Sequence, residues 1–490
     1  MLNENQNRIP LLEAIIRHVQ KRPVPFHVPG HKMGRGVVSE FGNWLDAALK
    51  LDITELPGLD DLHAPSDSIL TAQELAAAAF GAEQTFFLVN GSTSGNYAMI
   101  LSTCKPGDRL IVARNFHKSV IQACTLGNIH PVYMDLPIDK DIQSAGPVPV
   151  ESVEMAIQKY PDAKAVLITS PTYQGIYSPI REIAEIVHRA GMILLVDEAH
   201  GAHLHFHPQL HKYAALVQGA DLVVQSTHKM LGSLTQTAML HVNGKGVDLQ
   251  RLAKYVSFSQ TSSPSYLLLA SLDAARYVMA MEGERLLSRG MAQLQDFHAA
   301  AKRWKWIQLV PRKEDRDPFK LIFRLKRGTP AFAEEWLRTN HGIFFEMATP
   351  DHLLAVASYA DTKGMMEKLL RALDALDQWL DRFDVATADM SHSSDDAFLL
   401  PFQPSVKEPV LGLREVEDSN WEWVNIERSC GRIAYHFVAP YPPGIPIICP
   451  GERIESHMIK KILSCIQQRG NVQGLGGSNK TQIAVCIEEK

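Results

Sequence analysis

The sequence predicts an α/β protein built on a mainly parallel β-sheet with helices on both faces. Short apolar runs recur at residues 85–89, 109–113, 131–134, 165–169, 192–197 and 222–225. They are apolar nearly end to end, as strands buried on both faces must be. Stretches with helical apolar spacing fall between them, at 75–80, 96–104, 153–160 and 180–189. Strand and helix alternating in this way give right-handed crossovers and a doubly covered sheet.

Ahead of that core, residues 9–21 carry Leu11, Leu12, Ile15, Ile16 and Val19 at helical spacing. A loop-like stretch rich in Pro, Gly and His follows, from Pro23 to Gly36. Beyond it, Ala386 to Asp396 is polar and aperiodic and reads as a linker. The expected domains are 1–64 (helix and arm), 65–310 (large domain), 311–385 (small α/β domain), 386–397 (linker) and 398–490 (a C-terminal α+β unit). The chain has no internal repeat, and after Gly470 it is Gly- and Asn-rich and expected to be loosely held.

A chain of 490 residues, 46% hydrophobic, is long enough for two or three separate cores. Its formal net charge of −5 comes without clustered basic residues, so neither nucleic acid nor an anionic membrane is an expected partner. None of the six cysteines forms a Cys-x-x-Cys pair, and the first residues are polar rather than an apolar targeting segment. No apolar run reaches the ~18 residues of a membrane span. A soluble, reduced, cytoplasmic protein is expected.

Two strand ends carry the chemistry. One apolar run ends in Asp197-Glu198-Ala199-His200, the other in Gln225-Ser226-Thr227-His228-Lys229. A lysine after a strand is commonly a solvated residue, and an aspartate there commonly caps the next turn. Together they supply what pyridoxal phosphate requires: an amine for a Schiff base and a carboxylate that keeps the pyridine nitrogen protonated. Asn90-Gly91-Ser92-Thr93-Ser94-Gly95-Asn96 lies between a strand and a helix and offers small residues, hydroxyls and unpaired N–H groups to a phosphate. It is not a Walker loop, and its plainer reading is a Ser/Thr-capped helix. His117, in Arg114-Asn115-Phe116-His117-Lys118-Ser119, could cap a helix or stack on a cofactor ring. His203, His205 and His207 alternate as on one strand face, yet no acid or cysteine completes a ligand set, and no metal is expected.

With Pro29-Gly30-His31, Asp60-Asp61-Leu62, Thr261-Ser262-Ser263-Pro264 and Tyr441-Pro442-Pro443-Gly444-Ile445-Pro446 added in order, the chain resembles the pyridoxal-phosphate-dependent ornithine/lysine/arginine decarboxylases. The likeness extends over most of the chain. It implies the aminotransferase-like fold with a mainly parallel seven-stranded sheet. It also implies a basic amino acid as substrate (arginine or lysine, with ornithine possible), decarboxylation serving polyamine synthesis, and the short form of the family without an N-terminal wing domain. By the same resemblance Lys229 is the Schiff-base lysine, Asp197 the pyridinium partner and His117 the stacking histidine. Ser92, Thr93 and Ser94 hold the phosphate, and Ser226 and His228 line that end. Ala199 and His200 adjoin the cofactor. Thr261 reaches the phosphate from a neighbouring subunit, which implies a homodimer with shared active sites. Lys229 or His228 is the expected general acid. Asp60, Asp61 and Glu346 are candidates to face the substrate's distal cation. An aminotransferase or other pyridoxal lyase of this fold would share Asp197 and Lys229; a silent pyridoxal-binding protein would have less use for an intact lysine, aspartate and phosphate turn.

Overall fold

The computed structural model describes residues 4–244, 246–382, 402–441, 444–467 and 471–488. The expected linker at 386–397, the start of the C-terminal unit, and Pro442 and Pro443 lie outside the described residues. The chain forms two compact units, residues 1–103 with 193–287 and residues 104–192 with 288–490.

The large sheet is built from β1 Gln84–Leu88, β2 Arg109–Ala113, β3 His130–Met134, β4 Ala165–Thr169, β5 Ile193–Asp197, β6 Leu222–Gln225, β7 Ala238–Val242 and the two-residue β8 Val406–Lys407. Among the described residues these are eight strands where the resemblance implies seven, four in the first unit and four in the second. The addition is β8, antiparallel to β3, from a segment expected to belong to the C-terminal unit. A two-residue strand is too short to leave a periodic signal in the sequence.

In the first unit the strand order is β1, β7, β6, β5. β5 and β6 run parallel, while β7 is antiparallel to both β6 and β1. All four residues of β6 are buried and all of β7 are buried. The helix Gly91–Thr103 packs on these strands, and helix Leu249–Phe258 packs on it in turn. Gly95 permits the closest approach: a Cβ there would lie 2.4 Å from Val224 Cγ2 and 2.9 Å from Leu88 Cδ1. This helix begins at Gly91, not at 96 as the apolar spacing suggests, so Ser92, Thr93 and Ser94 occupy its first turn. Helices Ser39–Leu51 and Tyr266–Ala301 were not expected from apolar spacing. An ion pair with no solvent exposure, Asp273 to Arg276, holds the N-terminal segment. Leu11 N–H donates to Asp273, and Arg276 donates to the carbonyls of Gln6 and Arg8.

In the second unit β4, β2 and β3 run parallel in that order, with β8 beyond β3. A four-stranded antiparallel sheet (Ile307–Leu309, Lys320–Leu325, Leu353–Val356, Met347–Ala348) forms a smaller layer. A three-stranded sheet (Trp421–Asn425, Gln482–Cys486, Leu475–Gly476) covers a core that includes Ala434, Val438, Ile448 and Ile462. Arg114, just past β2, grips Glu452 through both terminal nitrogens at 2.5 and 2.7 Å and donates to Ile447 O.

Replacing Gly95 by alanine should push helix Gly91–Thr103 off the sheet and cost about 1–3 kcal/mol, the usual penalty for overpacking. Thermal unfolding measures it; an unchanged melting temperature would contradict the contact between Gly95 and Val224.

Candidate active site

β5 and β6 lie side by side in parallel register, with Asp197 opposite Val224. Their carboxyl ends therefore share one edge of the first unit, the edge at which parallel α/β sheets hold ligands. Asp197 closes β5 and is 2% exposed. A carboxylate so placed needs donors in place of water. Asn96 Nδ2 donates to Oδ2 at 2.9 Å and Ala199 N–H donates to Oδ1 at 3.1 Å. Asn96 was not among the expected site residues, although it ends the Asn90–Asn96 motif.

Past β6 the chain passes through Ser226 into the short helical turn Thr227–Met230. Ser226 Oγ donates to Ser92 Oγ at 2.8 Å, which ties this turn to the start of helix Gly91–Thr103. Lys229 Nζ lies 3.3 Å from His200 Nε2. His228 Nδ1 donates to Thr237 O at 2.8 Å, fixing the ring. Burial lowers the His228 pKa; the bond to Thr237 opposes this and the Lys229 charge adds to it.

The residues present fit a planar cofactor with a phosphate. Gly91 has φ +75, and a Cβ there would meet only Gln236 O, at 3.7 Å. The first-turn N–H groups of the helix point to anion binding. Ser92 and Thr93 are half-buried. Ser94 is buried and its hydroxyl donates back to Gly91 O at 2.8 Å. Thr227 Oγ1 is buried with no hydrogen-bond partner among the described residues, a donor suited to an acceptor from outside the chain. Thr227 flanks the lysine in the sequence, but only its burial marks it as a site residue.

Thr261 is exposed between helices Leu249–Phe258 and Tyr266–Ala301. Its carbonyl accepts from His63 Nε2 at 2.8 Å and its hydroxyl from Ser263 N–H. Asp60, at φ +71, has a committed carboxylate: Oδ1 accepts from the N–H groups of Asp61 and Ser66, Oδ2 from those of Asp67, Ile69 and Leu70. Its Oδ2 takes the Ile69 and Leu70 N–H groups in the first turn of helix Ser68–Phe80, capping from outside the N-cap position, Asp67, which commits its oxygens to the fold. Asp61 is exposed and accepts from His63 N–H. Glu55, Asp60, Asp61 and Asp67 line a recess of about 350 Å³ in this unit.

His117 and Glu346 belong to the second unit. His117 caps helix Lys118–Gly127, its Nδ1 accepting from Ser119 N–H at 3.3 Å and lying 2.9 Å from Ser119 Oγ. Glu346 Oε1 accepts from Tyr173 OH at 2.5 Å. His203, His205 and His207 do not share a strand face; the segment folds as a 3₁₀ turn over Leu204–Phe206. No group of side chains able to hold a metal ion occurs among the described residues. No helix among them is long and apolar enough to cross a membrane.

The profile of the Orn/Lys/Arg decarboxylase major domain matches residues 9–315, and that of the family's C-terminal domain matches 392–473. An arginine decarboxylase of Bacillus subtilis is 34% identical over 99% of this chain and 99% of its own. The crystal structure of the Francisella novicida lysine decarboxylase superposes with a TM-score of 0.84 at 20% identity, covering 98% of this chain and 81% of that one. A serine palmitoyltransferase from S. paucimobilis, solved with bound PLP and myriocin, superposes with a TM-score of 0.51 at 17% identity over 64% of this chain and 77% of its own. At such identities these structures speak to the fold: an α/β architecture with a large, mainly parallel sheet.

Burial alone would raise the Asp60 pKa, but the N–H groups around it outweigh this and hold it below the ordinary value of 3.8. A depressed carboxyl stabilises the fold above its unfolded pKa and loses that contribution as pH falls through its folded value. Asp60→Asn should therefore lower the melting temperature at neutral pH. The gap to the parent should narrow toward about pH 3; a gap that stays constant on acidification would contradict the capping role.

Proposed function

The chain belongs to the Orn/Lys/Arg decarboxylase family, and on that premise we propose that this carboxy-lyase removes the α-carboxyl group of arginine as CO2 and releases agmatine, with lysine the next substrate and ornithine a further one. The pairing of Lys229 and Asp197 on adjacent parallel strand ends of one unit supports pyridoxal phosphate chemistry, and the family match over residues 9–315 carries the choice of decarboxylation among such reactions. The preference for arginine leans on the full-length likeness to an arginine decarboxylase at 34% identity, above the 20% of the superposed lysine enzyme.

The cofactor in this proposal is pyridoxal 5'-phosphate, whose protonated ring accepts the electron pair left when CO2 departs. The protein's own residues do the rest. Lys229 would hold the cofactor through its amine. Asp197, fixed by Asn96 and Ala199, keeps a proton on the pyridine nitrogen. Ser92, Thr93, Ser226 and the first N–H groups of helix Gly91–Thr103 bind the phosphate, with Thr227 as a further donor. Ser94 shapes the same turn through its bond to Gly91. By the family resemblance, His117 would stack on the cofactor. His200 Nε2 steadies Lys229 Nζ at 3.3 Å, and by the family resemblance it would adjoin the cofactor's phenolic oxygen. Lys229 or His228 returns a proton to the α-carbon. Burial lowers the His228 pKa, which makes its protonated form the stronger acid if it delivers that proton. Thr261 completes the phosphate site of a second subunit, so the working unit is a homodimer in the cytoplasm. Asp61 and Glu346 are the acids proposed for the distal guanidinium, and the product feeds polyamine synthesis.

Purified protein with pyridoxal phosphate should give CO2 and agmatine from arginine in excess of amine from lysine or ornithine, measured by amine analysis. A keto acid in place of CO2 would instead indicate transamination, and no product from any of the three would sink the proposal. Lys229→Ala should abolish the visible absorbance of the bound cofactor and reduce turnover to background. An unchanged spectrum removes Lys229 from its role.

A further inference from the structure

We propose that Glu198 is a positioning residue for this reaction: through Gln225 it clamps the end of β6, which carries Ser226 and Lys229, to the end of β5, which carries Asp197. The inference rests on the reading of Asp197 and Lys229 given above.

A continuous line of side chains crosses four strand positions of the first unit. Glu198 directly follows β5 and has no solvent exposure. Its Oε1 accepts from Ala215 N–H at 2.9 Å and its Oε2 from Gln225 Nε2 at 2.7 Å. Gln225, the last residue of β6 and 2% exposed, meets His241 Nε2 through Oε1 at 3.2 Å. His241, on β7 and fully buried, meets Thr85 Oγ1 on β1 through Nδ1 at 2.8 Å. The turn after β5 closes on the same carboxyl: a Cβ at Gly201 would lie 2.5 Å from Glu198 Cγ, and Gly201 N–H donates to Glu198 O. That turn carries Ala199, which donates to Asp197, and His200, which lies against Lys229.

Four polar side chains in apolar strands are costly unless each is satisfied, and here each has a partner. The line works in either sense. With Glu198 ionised, Thr85 donates to His241, His241 to Gln225 and Gln225 to Glu198. With Glu198 protonated, the amide turns over and every donor reverses, since amide orientation follows the network. Burial pushes the Glu198 carboxyl up to about 8 against the lowering by Gln225 and Ala215, and pushes His241 down to about 3, with His205 adding to it. Both shifts favour the neutral sense. In that sense a glutamine at position 198 reproduces every bond, because its amide donates to Gln225 Oε1 and its carbonyl still accepts from Ala215. A holding network of this kind has no need of a charge, only of unbroken bonds between the two strand ends.

Four variants of the full-length holoenzyme test this: Glu198→Ala, Gln225→Ala, the double variant and Glu198→Gln. Glu198→Ala and Gln225→Ala should each lower kcat and weaken pyridoxal phosphate binding by about tenfold or more, the scale of a small misplacement of reacting groups, with KM for arginine within about twofold. The double variant should be little worse than either single one, because both break the same link. Glu198→Gln should recover most of kcat and of cofactor affinity. Additive losses in the double variant would overturn the proposal. So would a folded Glu198→Ala protein with parental cofactor affinity and absorbance, or a folded Glu198→Gln protein as impaired as the alanine variant. If Glu198→Ala fails to fold, Gln225→Ala and Glu198→Gln carry the same comparison. Cofactor affinity and absorbance are read without substrate, so they report on the clamp even if arginine proves not to be decarboxylated.

Discussion

The hydrogen bond from Asn96 Nδ2 to Asp197 Oδ2, 2.9 Å long, is the contact on which the rest of the first unit's site depends. A carboxylate 2% exposed is several kcal/mol out of balance unless fixed donors replace its water. One donor, Ala199 N–H, comes from the turn the carboxylate itself starts. The other must come from a helix, and it reaches only because Gly95 lets that helix rest directly on Val224 and Leu88. Once the helix is so seated, its first turn is fixed as well. Ser92 then lies at hydrogen-bonding distance from Ser226, and the N–H groups that suit a phosphate face the same edge as the lysine turn. The pyridinium partner and the anion site are thus set by one packing distance.

Strand direction does the remaining placement. β5 and β6 are parallel, so Asp197 and the Ser226–Lys229 turn emerge together; in an antiparallel pair they would leave at opposite ends. β7 returns antiparallel to β6 after a short connection. That return brings Thr237 O within 2.8 Å of His228 Nδ1, so the histidine beside the lysine is oriented by the very turn that reverses the chain.

Much of this was legible in the sequence, for identifiable reasons. β2 and β4 are buried apolar runs and were placed at their observed limits. Asp197 and Lys229 stood out because a charged residue at the end of such a run has few uses. What escaped notice was polar and buried. Gln225 and His241 sit inside strands, and nothing local distinguishes a partnered polar residue from a surface one. Glu198 read as part of a motif, yet its partner Gln225 is 27 residues away. Asn96 looked like the start of a helix, because Gly, Ser and Thr at 91–95 masked the first turn. Asp60 resembled a ligand for a cation because its five N–H partners, extending to Leu70, become visible only when the chain folds back on it.

The fate of Asp60 narrows how a distal cation can be recognised. A guanidinium is best held by two carboxylate oxygens, an ammonium by one. Five N–H groups already occupy Asp60, so its oxygens cannot turn to a ligand without uncapping helix Ser68–Phe80. Tyr173 engages one oxygen of Glu346. That leaves Glu346 better suited to a single point contact than to a fork, unless the tyrosine withdraws. Asp61 is exposed, and among the described residues its Oδ1 accepts from His63 N–H in its own turn, so it too has one oxygen engaged. If any of these acids faces a distal cation as proposed, the bonds it already accepts limit how it can do so.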